Sequence, residues 1–172
     1  MISLTSCGGG NQVVSQNSEP STIAVNVSQT SPLNPSSKPG WTLVWSDEFE
    51  TNGLPDHTKW AFDTDRNRAG WYNNEKQYYA ANRLENSRVE NGKLIITARK
   101  ERLTTAADYG GQNYTSARLV TRGLASWTYG FFEIRAKMPC GQGTWPAIWT
   151  LGVGGSRGMV WPDDGEIDIM EF

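Results

Sequence analysis

Hydrophobic and polar residues alternate along this chain in short runs, which is the pattern of half-buried β-strands. Residues 94–99 (LIITAR) and 131–138 (FFEIRAKM) both show partial alternation with a period of two. Helical spacing is not seen in any comparable segment. Strands are predicted over residues 75–79, 89–99 with a turn at Asn91-Gly92, 116–121, 130–138, 147–151 and 166–172. The predicted fold class is all-β, and its natural architecture is a sandwich or jelly roll.

Composition divides the chain near residue 41. Residues 8–40 are rich in Gly, Ser, Asn, Gln, Thr and Pro, which predicts a flexible tether because few apolar side chains are available to repay the entropy of ordering. From Trp41 onward β-forming residues are dense, so a domain is expected over 41–172. The apolar content of 37% is enough for a core in that part.

The first seven residues resemble the end of a bacterial lipoprotein signal. Leu4, Thr5 and Ser6 precede Cys7, the cysteine that would be cut free and lipidated, although no basic start or long apolar run precedes them. A chance match in an unstructured terminus is the alternative. With the lipid, the protein would be extracellular or in the cell envelope, on the outer surface or in the periplasm. Cys140 is expected to be an unpaired loop residue.

Charge and tryptophan content narrow the range of partners. Lys and Arg number 16 against 18 Asp and Glu, so a net charge of −2 offers no basic field for nucleic acid. No apolar run reaches the roughly 18 to 20 residues of a membrane-spanning helix, which leaves a lipid on Cys7 as the expected membrane contact. Eight tryptophans favour a carbohydrate partner, since flat sugar faces pack against exposed indoles. A monomer is expected.

Three acidic residues near the end of the chain alternate with apolar ones. On a regular strand Glu166 and Asp168 share one face, with Ile167 and Ile169 directed to the core. Glu171 would then lie on the wrong face. Bringing the three carboxylates together requires one extra residue, so a β-bulge is predicted near Met170.

The bulged strand has a geometry that suits glycosidase chemistry. It would place the Cα atoms of Glu166 and Glu171 about 13 Å apart, at about 3.3 Å per residue. Side chains leaning toward each other then bring the carboxylates to about 5 Å, the separation expected of retaining rather than inverting glycosidases. Asp168 lies between them, where like-charge repulsion helps keep a proton on Glu171. A solvated sheet face and a calcium-binding cluster remain alternatives for the same three acids.

Several motifs in order resemble glycoside hydrolase family 16, and within it the laminarinase-like endo-β-1,3-glucanases. They are residues 45–49 (WSDEF), 73–79 (NNEKQYY), 91–98 (NGKLIITA), 116–119 (SARL), 129–135 (YGFFEIR), 143–149 (GTWPAIW) and 165–171 (GEIDIME). Together they cover essentially all of 41–172. The resemblance implies a concanavalin A-like β-jelly-roll whose concave cleft binds glucan.

The resemblance also implies roles for individual residues. Glu166 would be the nucleophile, Asp168 the assisting residue and Glu171 the general acid/base. Sugar binding would fall to residues that stack on glucosyl rings or hydrogen-bond their hydroxyls, namely Trp145, Trp149, Trp161, Asn73 and Arg118. Glu75 and Gln77 would be structural. No cofactor is required for catalysis, whereas a structural calcium would have ligands near residues 48–50 and Gly92.

Two classes of function remain in view. The first is a retaining endo-glycosidase that hydrolyses β-1,3-glucan or mixed β-1,3-1,4-glucan through a covalent glycosyl-enzyme. The second is a non-catalytic glucan-binding module, and a relative acting on agar or carrageenan is a third option. Because the chain ends at Phe172 within a predicted strand, the sequence predicts the N-terminal part of a catalytic domain, incomplete at its C-terminus and inactive by itself.

Overall fold

The computed structural model describes residues 38–172. Cys7, with its predicted lipid signal, and residues 8–37 of the predicted tether lie outside the described residues. Within 38–172 the regular structure consists of short strands and two 3₁₀ helices, Tyr72–Asn74 and Gly155–Arg157. The strands are β1 (Ala61–Phe62), β2 (Gln77–Tyr79), β3 (Ser87–Val89), β4 (Leu94–Ile96), β5 (Tyr114–Ser116), β6 (Leu119–Val120), β7 (Ala147–Leu151) and β8 (Glu166–Glu171).

The strands associate in pairs. β1 with β6, β3 with β4 and β7 with β8 are antiparallel, whereas β2 and β5 are parallel. Regular structure in the described part of the chain is therefore strands with almost no helix, which confirms the all-β class. In the same residues, no helix is both long and apolar enough to span a membrane.

Residues 38–172 divide into two compact units, one formed by 44–128 and one by 38–43 with 129–172. In the 44–128 unit the buried apolar side chains are Trp71, Tyr78, Ala80, Val89 and Ala117. The β3–β4 hairpin there closes as its sequence predicts. Asn91 and Gly92 have φ of 52° and 70°, the left-handed backbone that a two-residue Asn-Gly turn requires.

A buried asparagine ties several segments of the 44–128 unit together. The Asn67 amide donates to the Tyr79 carbonyl and to Asp108 Oδ2, both at 2.9 Å. Its oxygen accepts from Trp71 Nε1 at 3.1 Å and from the Tyr79 N–H at 2.9 Å. The side chain is fully buried and all of its hydrogen-bonding groups have partners, so it links these segments within the unit.

Replacing Asn67 by alanine is expected to lower the free energy of unfolding by about 2–5 kcal/mol, because several buried polar groups lose their partner at once. Urea unfolding of the whole protein measures this change. The matched control is Asn113→Ala, at an exposed asparagine of the same unit, which should change stability by less than about 0.5 kcal/mol. Equal changes in the free energy of unfolding at both positions would contradict this linking role of Asn67.

Two predicted features of residues 129–140 are wrong. Residues 130–138 do not form a strand, although from residue 133 to 138 exposed and half-buried side chains still alternate. Alternation alone does not make a strand, since a ladder also needs a hydrogen-bonding neighbour, and the described residues supply none for this segment. Cys140 is disulfide-bonded, which corrects its expected state as an unpaired loop residue.

Candidate active site

The β7–β8 hairpin places three acidic side chains on one face. Cross-strand partners lie on the same side of a sheet, and every second residue of a strand shares that side. The pairs are Ala147 with Glu171, Trp149 with Asp168 and Leu151 with Glu166. Because the three β7 residues alternate regularly, their partners face the same way. We call this side of the hairpin the carboxylate face.

A bulge in β8 makes this arrangement possible. Trp149 pairs with Asp168 while its neighbour Ile148 pairs with Met170, so Ile169 is the extra residue without a cross-strand partner. If β8 alternated regularly from Glu166 through residue 171, Glu171 would lie on the side opposite Glu166. The predicted bulge next to Met170 is confirmed.

The bulge also fixes the spacing of the acids. The partners of Glu166 and Glu171 are four residues apart on β7, which corresponds to about 13 Å between the ends of the acidic strand. Asp168 pairs at an intermediate position and so lies between the two glutamates.

The two isoleucines of β8 differ from prediction. Ile167 is 69% exposed and Ile169 is 43% exposed, so neither is part of a core among the described residues. Apolar side chains are buried only where another layer covers them, so alternation along a strand does not by itself determine burial.

Two indole N–H groups donate hydrogen bonds to the side-chain carboxylates of Glu166 and Glu171, at the two ends of β8. Trp145 Nε1 donates to Glu171 Oε1, and Trp161 Nε1 donates to Glu166 Oε2, each at 2.8 Å. Trp145 lies just before β7, and its hydrogen bond to Glu171 places its indole at the carboxylate face. Trp149, opposite Asp168, is on that face as well. The hairpin therefore brings together three predicted carboxylates and the three predicted tryptophans.

The turn that carries Trp161 is fixed by Asp164. The Val160 N–H donates to Asp164 Oδ2 at 2.7 Å, and Arg157 pairs with the other oxygen. These two contacts hold the pKa of the Asp164 carboxyl below its usual value, although partial burial opposes them. Gly152 faces the same turn, and any side chain there would collide with the Asp164 carbonyl. Asp164 was not predicted from the sequence, in which its only local signal is the turn-forming Asp-Asp-Gly.

The predicted binding residues Asn73 and Arg118 belong to the 44–128 unit, so the hairpin does not itself contain them. Arg118 Nε lies 3.0 Å from Asp63 Oδ2, and its guanidinium lies 5.1 Å from the centre of the Trp71 ring. Asp63, a buried acid with no distinguishing motif, was also not predicted from the sequence. Asn73 is exposed within a 3₁₀ helix and has a left-handed φ of 55°.

Glu75 makes internal hydrogen bonds in the same unit. Its Oε2 accepts from Gln77 Nε2 at 2.5 Å and from the Tyr79 hydroxyl at 2.7 Å. Burial and this hydrogen bond raise the pKa of the Tyr79 hydroxyl well above its usual value, so it stays a donor. These contacts agree with the predicted structural role of Glu75 and Gln77.

Residues 52–53 and 89–91, adjacent in sequence to the segments expected near a calcium ion, are in contact. The Asn91 N–H donates to Asn52 Oδ1 at 3.0 Å, and Gly53 bridges to Val89. Among residues 38–172, however, no group of three or more His, Cys, Asp or Glu side chains could hold a metal ion.

Comparison with known proteins shows which family and which relatives this chain is similar to. The family model for the XgeA-like catalytic GH16 domain matches residues 60–172. A β-glucanase of Rhodothermus marinus is 59% identical over 134 residues, which is 77% of this chain and 44% of the relative. A glucan endo-1,3-β-glucosidase of Cryptopygus antarcticus is 42% identical, over 77% of this chain and 46% of the relative.

A solved structure has a similar fold. The crystal structure of SCLam, a non-specific endo-β-1,3(4)-glucanase from family GH16, is 62% identical with a TM-score of 0.72. The match covers 76% of this chain and 48% of SCLam. The chain thus spans about half the length of these relatives.

Proposed function

Because this chain belongs to glycoside hydrolase family 16, we propose that the whole protein is a retaining endo-glycosidase acting on β-1,3-glucan or mixed β-1,3-1,4-glucan. The observation that supports this most is the carboxylate face, on which a bulge places Glu166, Asp168 and Glu171 together. The β-glucan activities in the names of the similar proteins support the substrate class. The strand-rich structure supports a jelly-roll sandwich as the architecture of the whole domain.

The proposed reaction is a double displacement. Glu166 attacks the anomeric carbon while Glu171 protonates the departing glycosidic oxygen, so one C–O bond forms as another breaks. Glu171 then removes a proton from water, whose oxygen displaces Glu166 and releases the second product. Asp168, between them, assists by its charge. Configuration at the anomeric carbon is inverted twice and therefore retained.

Substrate binding is proposed to use aromatic and polar side chains. Trp149 lies on the carboxylate face, where its ring can stack on a glucosyl unit. Arg118, held by Asp63, and the exposed amide of Asn73 are proposed to bind sugar hydroxyls.

Cleavage within the glucan chain is the expected mode of action. Given soluble laminarin, the whole protein should lower the viscosity well before free glucose appears, since a cleft binds internal segments. Parallel viscometry and product analysis on laminarin, lichenan, agarose and carrageenan measure this. Release of glucose alone, or no action on any β-glucan, would contradict the proposal. Action on agarose or carrageenan alone would instead support the third option.

A non-catalytic glucan-binding module is the second candidate function. It would use the same tryptophans, but it has no need of two glutamates on one face with an intervening aspartate. Binding to laminarin without any reducing-end release over long incubation would favour the module over the enzyme.

Lipid attachment at Cys7 is proposed from the sequence of residues 4–7. Mass spectrometry of protein from a bacterial host that processes lipoproteins should find an acylated Cys7, and Cys7→Ser should release the protein from membranes. An unacylated Cys7 would contradict the anchor.

A further inference from the structure

The two indole N–H groups at the ends of β8 make the same kind of contact, each with one glutamate. Trp161 donates to one oxygen of Glu166 and Trp145 to one oxygen of Glu171, both at 2.8 Å. The two donors come from opposite ends of the hairpin, one from the turn before β8 and the other from the residues before β7. Asp168, between the glutamates, is opposite Trp149. Each proposed reacting carboxylate therefore has its own indole donor.

The exposure of these rings makes their orientation informative. Trp145 is 51% exposed and Trp161 is 64% exposed, so core packing alone does not dictate where their N–H groups point. An indole has one donor and no acceptor, and a hydrogen bond to a charged acceptor is stronger than a neutral one. The ring faces are the surfaces that would stack on sugar, whereas the N–H lies on the ring edge.

We propose that Trp145 and Trp161 are positioning residues that select which carboxylate oxygen reacts. Trp161 occupies Oε2 of Glu166, which leaves Oε1 to attack the anomeric carbon. Trp145 occupies Oε1 of Glu171, which leaves Oε2 to carry the transferred proton. This inference rests on the proposed function for its chemistry, whereas the hydrogen bonds themselves are independent of it.

The kinetic test uses phenylalanine, which keeps an aromatic ring for stacking but removes the N–H. Trp161→Phe and Trp145→Phe in the whole protein should each lower kcat on laminarin about 10- to 100-fold, while KM changes less than about threefold. With an aryl β-glucoside whose leaving group needs no proton, the rate of aryl release should fall much less in Trp145→Phe, whereas the loss in Trp161→Phe should persist. A raised KM with unchanged kcat would show that the rings only stack and would overturn the proposal.

A matched control exists in the 44–128 unit. Trp60 Nε1 donates to Asp47 Oδ2, also at 2.8 Å, far in sequence from the acidic strand. Trp60→Phe removes an indole–carboxylate bond of the same length and should leave kcat and its dependence on the leaving group unchanged. An equal loss of kcat in Trp60→Phe would assign the effect to general destabilisation and so contradict positioning.

A spectroscopic test separates this inference from the proposed function. In whole protein labelled with ¹⁵N-tryptophan, the two Phe variants identify the Nε1–H resonances of Trp145 and Trp161 by their disappearance. Glu166→Ala should then shift the Trp161 resonance but not that of Trp145, and Glu171→Ala should do the reverse. Selective shifts in a protein that cleaves no β-glucan would support the contacts and refute the proposed function. Resonances that do not move would refute the positioning role even in an active enzyme.

Discussion

Replacing Glu166 by alanine is expected to lower kcat of the whole protein on laminarin by about 10⁴- to 10⁶-fold, because no other group can form the covalent glycosyl-enzyme. The loss should be similar for substrates with good and poor leaving groups, since both need the nucleophile. Initial rates of reducing-end release measure it. Glu90→Ala is the control, because Glu90 lies in the exposed β3–β4 turn, pairs with Arg88, and should leave kcat unchanged.

The stereochemistry of the first product tests the same assignment. NMR of the product formed in the first minutes should show the β-anomer, as two displacements at one carbon require. A first-formed α-anomer would refute both the retaining mechanism and the role of Glu166. Activity of Glu166→Ala within about tenfold of the parent would refute the role alone.

Replacing Glu171 by alanine is expected to lower kcat on laminarin by about 10²- to 10⁴-fold, the usual contribution of a general acid/base. The effect should depend on the substrate. With an aryl β-glucoside that leaves without protonation, the first displacement should keep most of its rate, and the glycosyl-enzyme should accumulate because water is not activated. Azide, which needs no base, should then restore turnover as a glycosyl azide of retained configuration.

The contrast between the two glutamates is the informative result. Burst kinetics with the aryl substrate, in the presence and absence of azide, distinguish an acid/base from a nucleophile. Equal loss on both kinds of substrate, without rescue by azide, would contradict the assignment of Glu171. Glu90→Ala again serves as the control.

Local periodicity was enough to predict much of the site, whereas contacts between distant segments were not predictable. The alternation of β8 and its interruption at Met170 gave both the shared face of the acids and the bulge, because side-chain direction follows from position in a strand. The same reasoning failed for residues 130–138, where a strand also requires a neighbour. It likewise placed Ile167 in a core, although periodicity reports which residues share a side and not what covers it.

Hydrogen bonds between side chains distant in sequence were also beyond sequence reasoning. Trp145 and Trp161 were predicted only to stack on glucosyl rings, because a sequence shows an indole but not the direction of its N–H. The contact between Trp145 and Glu171 joins residues separated by 26 positions, and its direction depends on the hairpin register. The contact between Asp63 and Arg118 was likewise not predictable, since only folding brings these two residues together.

The extra residue at Ile169 gives the acidic strand a change of parity. Glu166 and Asp168 occupy even positions, whereas Glu171 occupies an odd one, yet all three face the same side. The side of the last carboxylate therefore depends on the extra residue and the bulge together. A one-residue deletion between Asp168 and Glu171 that also removed the bulge would leave the three acids on one side of a regularly alternating strand, so strand length and bulge have to change together. A change of length between β7 and β8 would leave the parity of the strand unaltered, so natural variation in length is more easily tolerated there.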